Sequence, residues 1–291
     1  MAEVTVRANT KIENPGKLNI YRLGAVRADR ETLGNIGRRL GYKSDPERRI
    51  MTETPSYLAD SERGWTLSLF HHSGGWKYRN NHLWQGDDGK GNLKLEDVEA
   101  HRLALEHIEK YKLAKEKEFR LLRVTRLRVA HSERGKPENN ERVIDAGVVF
   151  ERVVDGLPVE GPGGKTVVYF NYEREFTGVD HLWRDIEKVQ EPVRELRPVE
   201  YAINEVRRRY RETGPGRVDV TEIRLGYFEA NWHQLQEYLQ PAYVVFVRLI
   251  SQDERIQMPS VFVFPAAMNS IGLIEPEPRP AIRQTSRKNT G

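Results

Sequence analysis

The side chains able to do chemistry in this sequence are carboxylates, histidines and tyrosines, because none of its 291 residues is cysteine. That absence removes thiolate nucleophiles, disulfides and cysteine-ligated metals together. No serine stands in a Gly-x-Ser-x-Gly elbow, so standard acyl-enzyme chemistry has no visible nucleophile. What remains is an aromatic and acidic set in the second half of the chain. Glu151 and Asp155 flank one expected strand, Tyr169 lies on the next, and Asp180-His181-Leu-Trp183 follows it. Tyr227, Glu229, Trp232 and His233 form a similar group further on. If the protein is an enzyme, Glu151, His181 and Glu229 are the candidate acid–base groups, since such catalysis needs only one or two positioned side chains. Tyr169, Trp183, Tyr227 and Trp232 are the candidate ligand-binding aromatics. A packed core and an internal interface would use the same residue types.

Other spacings point away from specific chemistry. Gly164-Lys165-Thr166 resembles the end of a phosphate loop, but Val159 occupies the position where that loop needs glycine. Thr166-Val-Val-Tyr-Phe170 also reads as a strand, where the motif requires a helix. His71 and His72 are adjacent, His101 and His107 are six apart, and no His-Glu-x-x-His occurs, so no metal or other cofactor is expected. Asp87-Asp-Gly-Lys-Gly-Asn92 falls short of a calcium loop and reads as a solvated turn. Arg120, Arg123, Arg126, Arg128 and Arg207 to Arg209 are diluted by Glu116, Glu118, Glu205 and Glu212. The 47 Lys and Arg against 43 Asp and Glu leave a net charge of only +4. Nucleic acid is therefore not an expected partner. The longest apolar run, 242–247, is stopped by Arg248 and is far short of the roughly twenty residues a spanning helix needs. With no signal-like segment in 1–14, a cytoplasmic protein without a membrane segment is expected.

The elements that must position these residues can be read from periodicity. Alternation predicts a strand at 18–23, and Asp29 caps a helix presenting Leu33, Ile36 and Leu40, with Gly41 after it. Trp65 to Phe70 alternates as a strand, Ser73-Gly-Gly75 turns, and Trp76 starts the return. The clearest helix presents Val98, His101, Leu105, Ile108 and Lys112 at helical spacing. Strands over 121–130, 143–154 and 165–172 follow, with turns at 155–158 and 161–164. Pro192 and Pro198 bracket a linker. A second helix presents Val199, Ala202, Ile203, Val206 and Tyr210, and strands over 218–227, 243–250 and 260–264 complete the chain.

Helix then three strands thus occurs twice, which predicts an α+β protein with an internal structural repeat. The expected units are a flexible 1–14, a small α+β unit at 15–93, repeat 1 at 94–192, repeat 2 at 193–274 and a disordered tail at 275–291. Val167 to Phe170, Tyr243 to Val247 and Val261 to Phe264 are apolar on both faces. A sheet with one wet face should alternate, so the second faces need cover from the neighbouring repeat, a partner or a ligand.

The stretch from Val148-Val-Phe-Glu-Arg-Val-Val-Asp-Gly-Leu-Pro to Gly164-Lys-Thr-Val-Val-Tyr169 resembles the second and third strands of PepSY-like and YpeB-like domains. The helix at 96–112 sits where that pattern expects one, so the resemblance covers about 95–179 and, more weakly, 197–264. It implies tandem cystatin-like units, each an amphipathic helix packed on an antiparallel sheet. It also implies a non-catalytic role, since such domains bind or restrain proteins and peptides. Two departures are that those families usually act outside the cytoplasm and that the first ninety residues carry none of the pattern. The leading functional expectation is a non-catalytic binding or regulatory module engaging a protein or peptide, or a second copy of itself as a homodimer, through an apolar sheet face. The alternative is an enzyme or carrier for a small hydrophobic substrate in a pocket between the repeats.

Overall fold

A computed structural model describes residues 3–8, 12, 15–41, 49–50, 55–60, 63–84, 92–130, 141–210, 216–272 and 274. The chain begins with β1 (Glu3–Val6), β2 (Asn19–Leu23) and α1 (Arg30–Arg39), then β3 (Arg49–Ile50), β4 (Ser56–Asp60), β5 (Trp65–Leu69) and β6 (Trp76–Asn80). The short α2 (Asn81–Trp84) and the longer α3 (Asp97–Lys110) lead into β7 (Phe119–Val129) and β8 (Arg142–Val154). Next come β9 (Leu157–Glu160), β10 (Lys165–Asn171), β11 (Phe176–Leu182) and β12 (Ile186–Pro192). The last elements are α4 (Val199–Arg209), β13 (Arg217–Phe228), β14 (Tyr238–Leu239), β15 (Pro241–Ile250) and β16 (Gln257–Pro265).

This is an α+β protein dominated by antiparallel sheet. Three times a helix is followed by an antiparallel meander on which it packs. α1 lies on β4 and β5, α3 on β7, β8 and β10, and α4 on β15 and β16. The meanders join edge to edge in one thirteen-stranded sheet, through β6–β11 pairing and through β9, which pairs β8 on one side and runs parallel to β13 on the other. A separate sheet, β12-β2-β14, covers an apolar cluster of Leu18, Leu23, Val154, Val159, Tyr227 and Leu239.

Several elements follow directly from local sequence. Asp29 accepts the Thr32 amide at 2.8 Å and caps α1, while Leu33, Ile36 and Leu40 are buried. α4 buries Val199, Ala202, Ile203 and Val206, the stripe its spacing predicts. α3 follows its predicted stripe only at Ile108, which is buried. Val98 is 83% exposed and Leu105 is also exposed, and Lys112 lies beyond the helix. The buried face is Ala100, Ala104 and Ile108, because the small alanines allow close approach to β8 while Leu93, Leu95 and Tyr111 fill the flanks.

Other expectations are corrected. Residues 3–6, expected to be flexible, form β1 in parallel register with Arg217 to Val220, and Val4 and Val6 pack on the α4 core. Residues 157–158, read as turn, begin β9, and repeat 1 contains two further strands, β11 and β12, after its third expected strand. Strands of 15–93 pair beyond it, β6 with β11 and β2 with β12. The expected disordered tail at 275–291 and the turn at 87–91 lie outside the described residues.

The two-faced strands are covered in part, since Val261 stays 46% exposed. On β15, Tyr243, Val245 and Val247 face α4, while Ala242 and Val244 join Phe228, Ala230, Val263 and Ile274 in a second cluster. Ile274, from the chain after β16, is part of that cluster, and this chain is held by Gln240, which exchanges hydrogen bonds with the Ile271 carbonyl and amide at 2.6 and 2.9 Å. On β10, Val168 and Phe170 face α3, but Val167 and Tyr169 point to a face without a helix and stay half-exposed.

Candidate functional site

The helix-free face of the central meander gathers the polar side chains. On β8, Ala146, Val148 and Phe150 enter the core, so Asp145, Gly147, Val149 and Glu151 point the other way. Register places Tyr169 beside Gly147, Val167 beside Asp180, Asp180 beside Lys77, and Gly178 beside Arg79. The result is a connected row. The Tyr169 hydroxyl donates to Asp180 Oδ2 at 3.3 Å, and Arg79 Nη2 is 2.7 Å from Asp180 Oδ1. Lys77 Nζ lies 3.7 Å from the same carboxylate and 4.6 Å from the Trp232 ring centroid. The Arg79 guanidinium sits 4.4 Å from the Tyr169 ring centroid, a cation–π contact.

Two glycines make this packing feasible. A Cβ on Gly147 would stand 2.8 Å from Thr125 Oγ1 and 3.2 Å from Tyr169 Cε1. A Cβ on Gly178 would meet the Tyr78 carbonyl oxygen at 2.6 Å and Arg79 Cδ at 3.0 Å. Any larger residue would displace the side chains of the row.

Beside Tyr169 lies a cleft of about 310 Å³, lined by Arg79, Thr125, Arg126, Leu127 and Tyr169. Asp145, 5% exposed, and the fully buried Thr177 also line it. Asp145 Oδ2 and Thr177 Oγ1 are buried without a hydrogen-bond partner. Burial pushes the Asp145 carboxyl up to about 6, against the pull of the Arg79 guanidinium. Burial, together with Asp180, raises the Tyr169 phenol as well. The Arg126 guanidinium is engaged elsewhere, donating to Asp97 Oδ1 and the Leu95 carbonyl at 2.6 Å each.

The sequence-derived candidates divide among four surroundings. Tyr169 and Trp232 border the row just described. Tyr227 is fully buried beneath the small sheet, its hydroxyl 2.7 Å from Asp155 Oδ2 and 2.8 Å from the Asn19 carbonyl oxygen. Tyr21 donates to the same carboxylate at 2.5 Å, so this network pins β2 to the β8–β9 turn. His181 and Trp183 belong to a third group. The His181 ring contacts those of Trp76 and Trp183, each at 5.4 Å between centroids, and its Nδ1 is 2.8 Å from Thr166 Oγ1. Burial, with Arg39 and Arg152 adding to it, pulls the His181 imidazole down to about 3.

The fourth group is ionic. Glu229 is fully buried; its Oε1 accepts the Arg184 amide at 2.9 Å and Arg184 Nη1 at 3.2 Å, while Arg152 Nη1 is 4.0 Å from Oε2. Burial pushes the Glu229 carboxyl up and Arg184 opposes it. Arg184 also donates to the carbonyls of Ala230, Asn231 and Gln234, so the pair fixes the segment after β13. Glu151 accepts from Arg120 Nε at 2.7 Å and stands across from Lys165. Burial lowers the Lys165 ammonium, and Glu151, Glu160 and Glu229 counter it. Among the described residues, no group of three or more His, Asp or Glu is arranged to hold a metal ion.

Sequence reasoning missed Arg79, Lys77, Asp145 and Thr177. One signal was present: Asp145 interrupts an otherwise apolar stretch from Val143 to Phe150, where an acid on a strand is out of pattern.

No protein-family model matches the chain, and no curated protein matches it. Among solved structures, the chain is similar to an uncharacterized protein from Eubacterium rectale, with a TM-score of 0.51 and 11% identity, over 95% of this chain and 91% of that one. That likeness is one of fold alone.

Proposed function

We propose that the protein is a non-catalytic binding or regulatory module that engages a protein or peptide partner on the helix-free face of its central meander. Its units are read as tandem cystatin-like modules related to PepSY-like domains, acting in the cytoplasm. The carrying observation is the cleft beside Tyr169, where Asp145 and Thr177 present buried polar atoms without partners. Orphaned buried groups cost about 1–3 kcal/mol each, so a surface that keeps them at an open cleft is suited to receiving a partner's polar groups. The reading moves the recognition surface from an apolar face to a mixed one, since Lys77, Arg79 and Asp180 occupy its centre.

The alternative of acid–base catalysis between the repeats has less support. Glu229 is enclosed by Arg184, Glu151 is paired with Arg120, and an imidazole near 3 is a poor base at neutral pH. Selection of a random peptide library on the folded protein tests the proposal. Enriched peptides should lose at least about tenfold in affinity, 1.4 kcal/mol, on Tyr169→Ala and on Thr177→Val. Enriched peptides that bind these variants as tightly as the parent protein would refute it.

A further inference from the structure

We propose that the cleft beside Tyr169 receives a cationic nitrogen, an ammonium or guanidinium on an aliphatic stem, with Asp145 as its counter-ion. The inference rests on the binding reading above and adds the chemical class of the group bound.

Three acids lie on this face, and two already have cations. Glu151 is held by Arg120, and Asp180 by Arg79 and Lys77. Asp145 has no ion pair within 4.0 Å among the described residues, and its Oδ2 is buried and unpaired. A carboxylate so placed gains most from a donor that carries charge. The nearby cations do not fill that role. Arg126 is spent on Asp97 and the Leu95 carbonyl, and Arg79 lies on Tyr169 and Asp180. Thr177 Oγ1 offers a second acceptor at the same place. The walls suit the remainder of such a ligand. Leu127, half-exposed on β7, and the Tyr169 ring flank an apolar path along which methylenes can lie while the charged head reaches inward.

The groups facing Asp145 are Arg79 from β6, Arg126 from β7, Tyr169 from β10 and Thr177 from β11, with Asp180 behind Arg79. The pH dependence of binding follows Asp145. It should strengthen as pH rises through about 6, where this carboxyl ionises.

The experiment is an NMR titration of isotopically labelled protein with n-butylammonium and n-butylguanidinium, with butyrate as the anionic control. At least one cation should shift the Asp145 carboxyl and Tyr169 ring resonances saturably, with Kd of about 1 mM or tighter at neutral pH, weakening at least about fivefold at pH 5. Asp145→Asn should abolish the effect while remaining folded, and butyrate should leave those resonances in place. Cations without saturable effect on the parent protein, or with equal effect on Asp145→Asn, overturn the proposal. If butyrate binds instead, the cation class is wrong while the binding face stands. If library peptides still depend on Tyr169 but neither cation binds, the cation class again fails alone. If neither peptides nor cations bind, both readings fail together.

Discussion

The central and C-terminal meanders carry their helices in the same way but treat their opposite faces differently. Under α4, the face of β13, β15 and β16 turned away from the helix buries Val244 with Phe228, Ala230, Val263 and Ile274, while Val261 further along β16 stays exposed. In the central meander, the helix-free face of β8, β10, β11 and the adjoining β6 keeps Tyr169, Arg79, Lys77 and Asp180 partly open, with Asp145 sunk beneath them. The same architecture therefore yields a buried apolar cluster at one end of the face in one place and a wet, charged recess in the other. The difference comes from which side chains alternate with the core positions: Ala242 and Val244 on β15, but Lys165, Val167 and Tyr169 on β10.

Matched substitutions can break this comparison. Val244→Lys should cost about 4 kcal/mol, because an ammonium would enter a closed apolar cluster. Val167→Lys, opposite Asp180 in the register, should cost less than about 1 kcal/mol. Urea unfolding measures both, and equal losses would erase the distinction between the faces.

Asp145→Asn probes the open face by pH. The folded chain holds the Asp145 proton more tightly than the unfolded chain, since burial raises the carboxyl to about 6. The stability tied to that proton is fully present below the ordinary carboxylate range, about pH 4, and is lost as pH rises through about 6. Asparagine should therefore stabilise the protein by about 2 kcal/mol near pH 7.5 and by almost nothing near pH 3.5. A variant whose stability parallels the parent across that window would show that Asp145 is solvated in the native state.

The smallest expected effect concerns the helices. Val98→Thr on α3 should change stability by less than about 0.5 kcal/mol, because Val98 is exposed. Val206→Thr on α4 should cost about 1–2 kcal/mol, because Val206 is fully buried. Similar costs at the two positions would put the predicted α3 stripe back against the sheet.

Much of this fold is legible in the residues. The Asp29 cap, the α4 stripe and the long strands β8, β13 and β15 all declare themselves by spacing and alternation. The α3 stripe misleads because Ala100 and Ala104 weigh little in a hydrophobic pattern, although their small size lets the helix sit close to β8. β11 is hidden by Gly178 and the polar pair Asp180-His181, which are explained only once β6 is its neighbour. β12 is hidden because most of its side chains face solvent. The candidate site was half visible. Tyr169 and Trp232 stand out as aromatics, but the row linking them is assembled from β6 and β11, whose pairing is non-local. Asp180 stands out as part of an acidic and aromatic group, but Arg79 is unremarkable until that register brings the two together.

The parallel β1–β13 seam has a consequence for assembly. Glu3 to Val6 are synthesised before the strand they join, Arg217 to Val220, which emerges only after the whole central meander. β2 likewise waits for β12 and β14. The leading segment must therefore remain unpaired through most of vectorial synthesis and be stitched in late. Severing the chain between α3 and α4 would leave β1 and β2 without their partner strands.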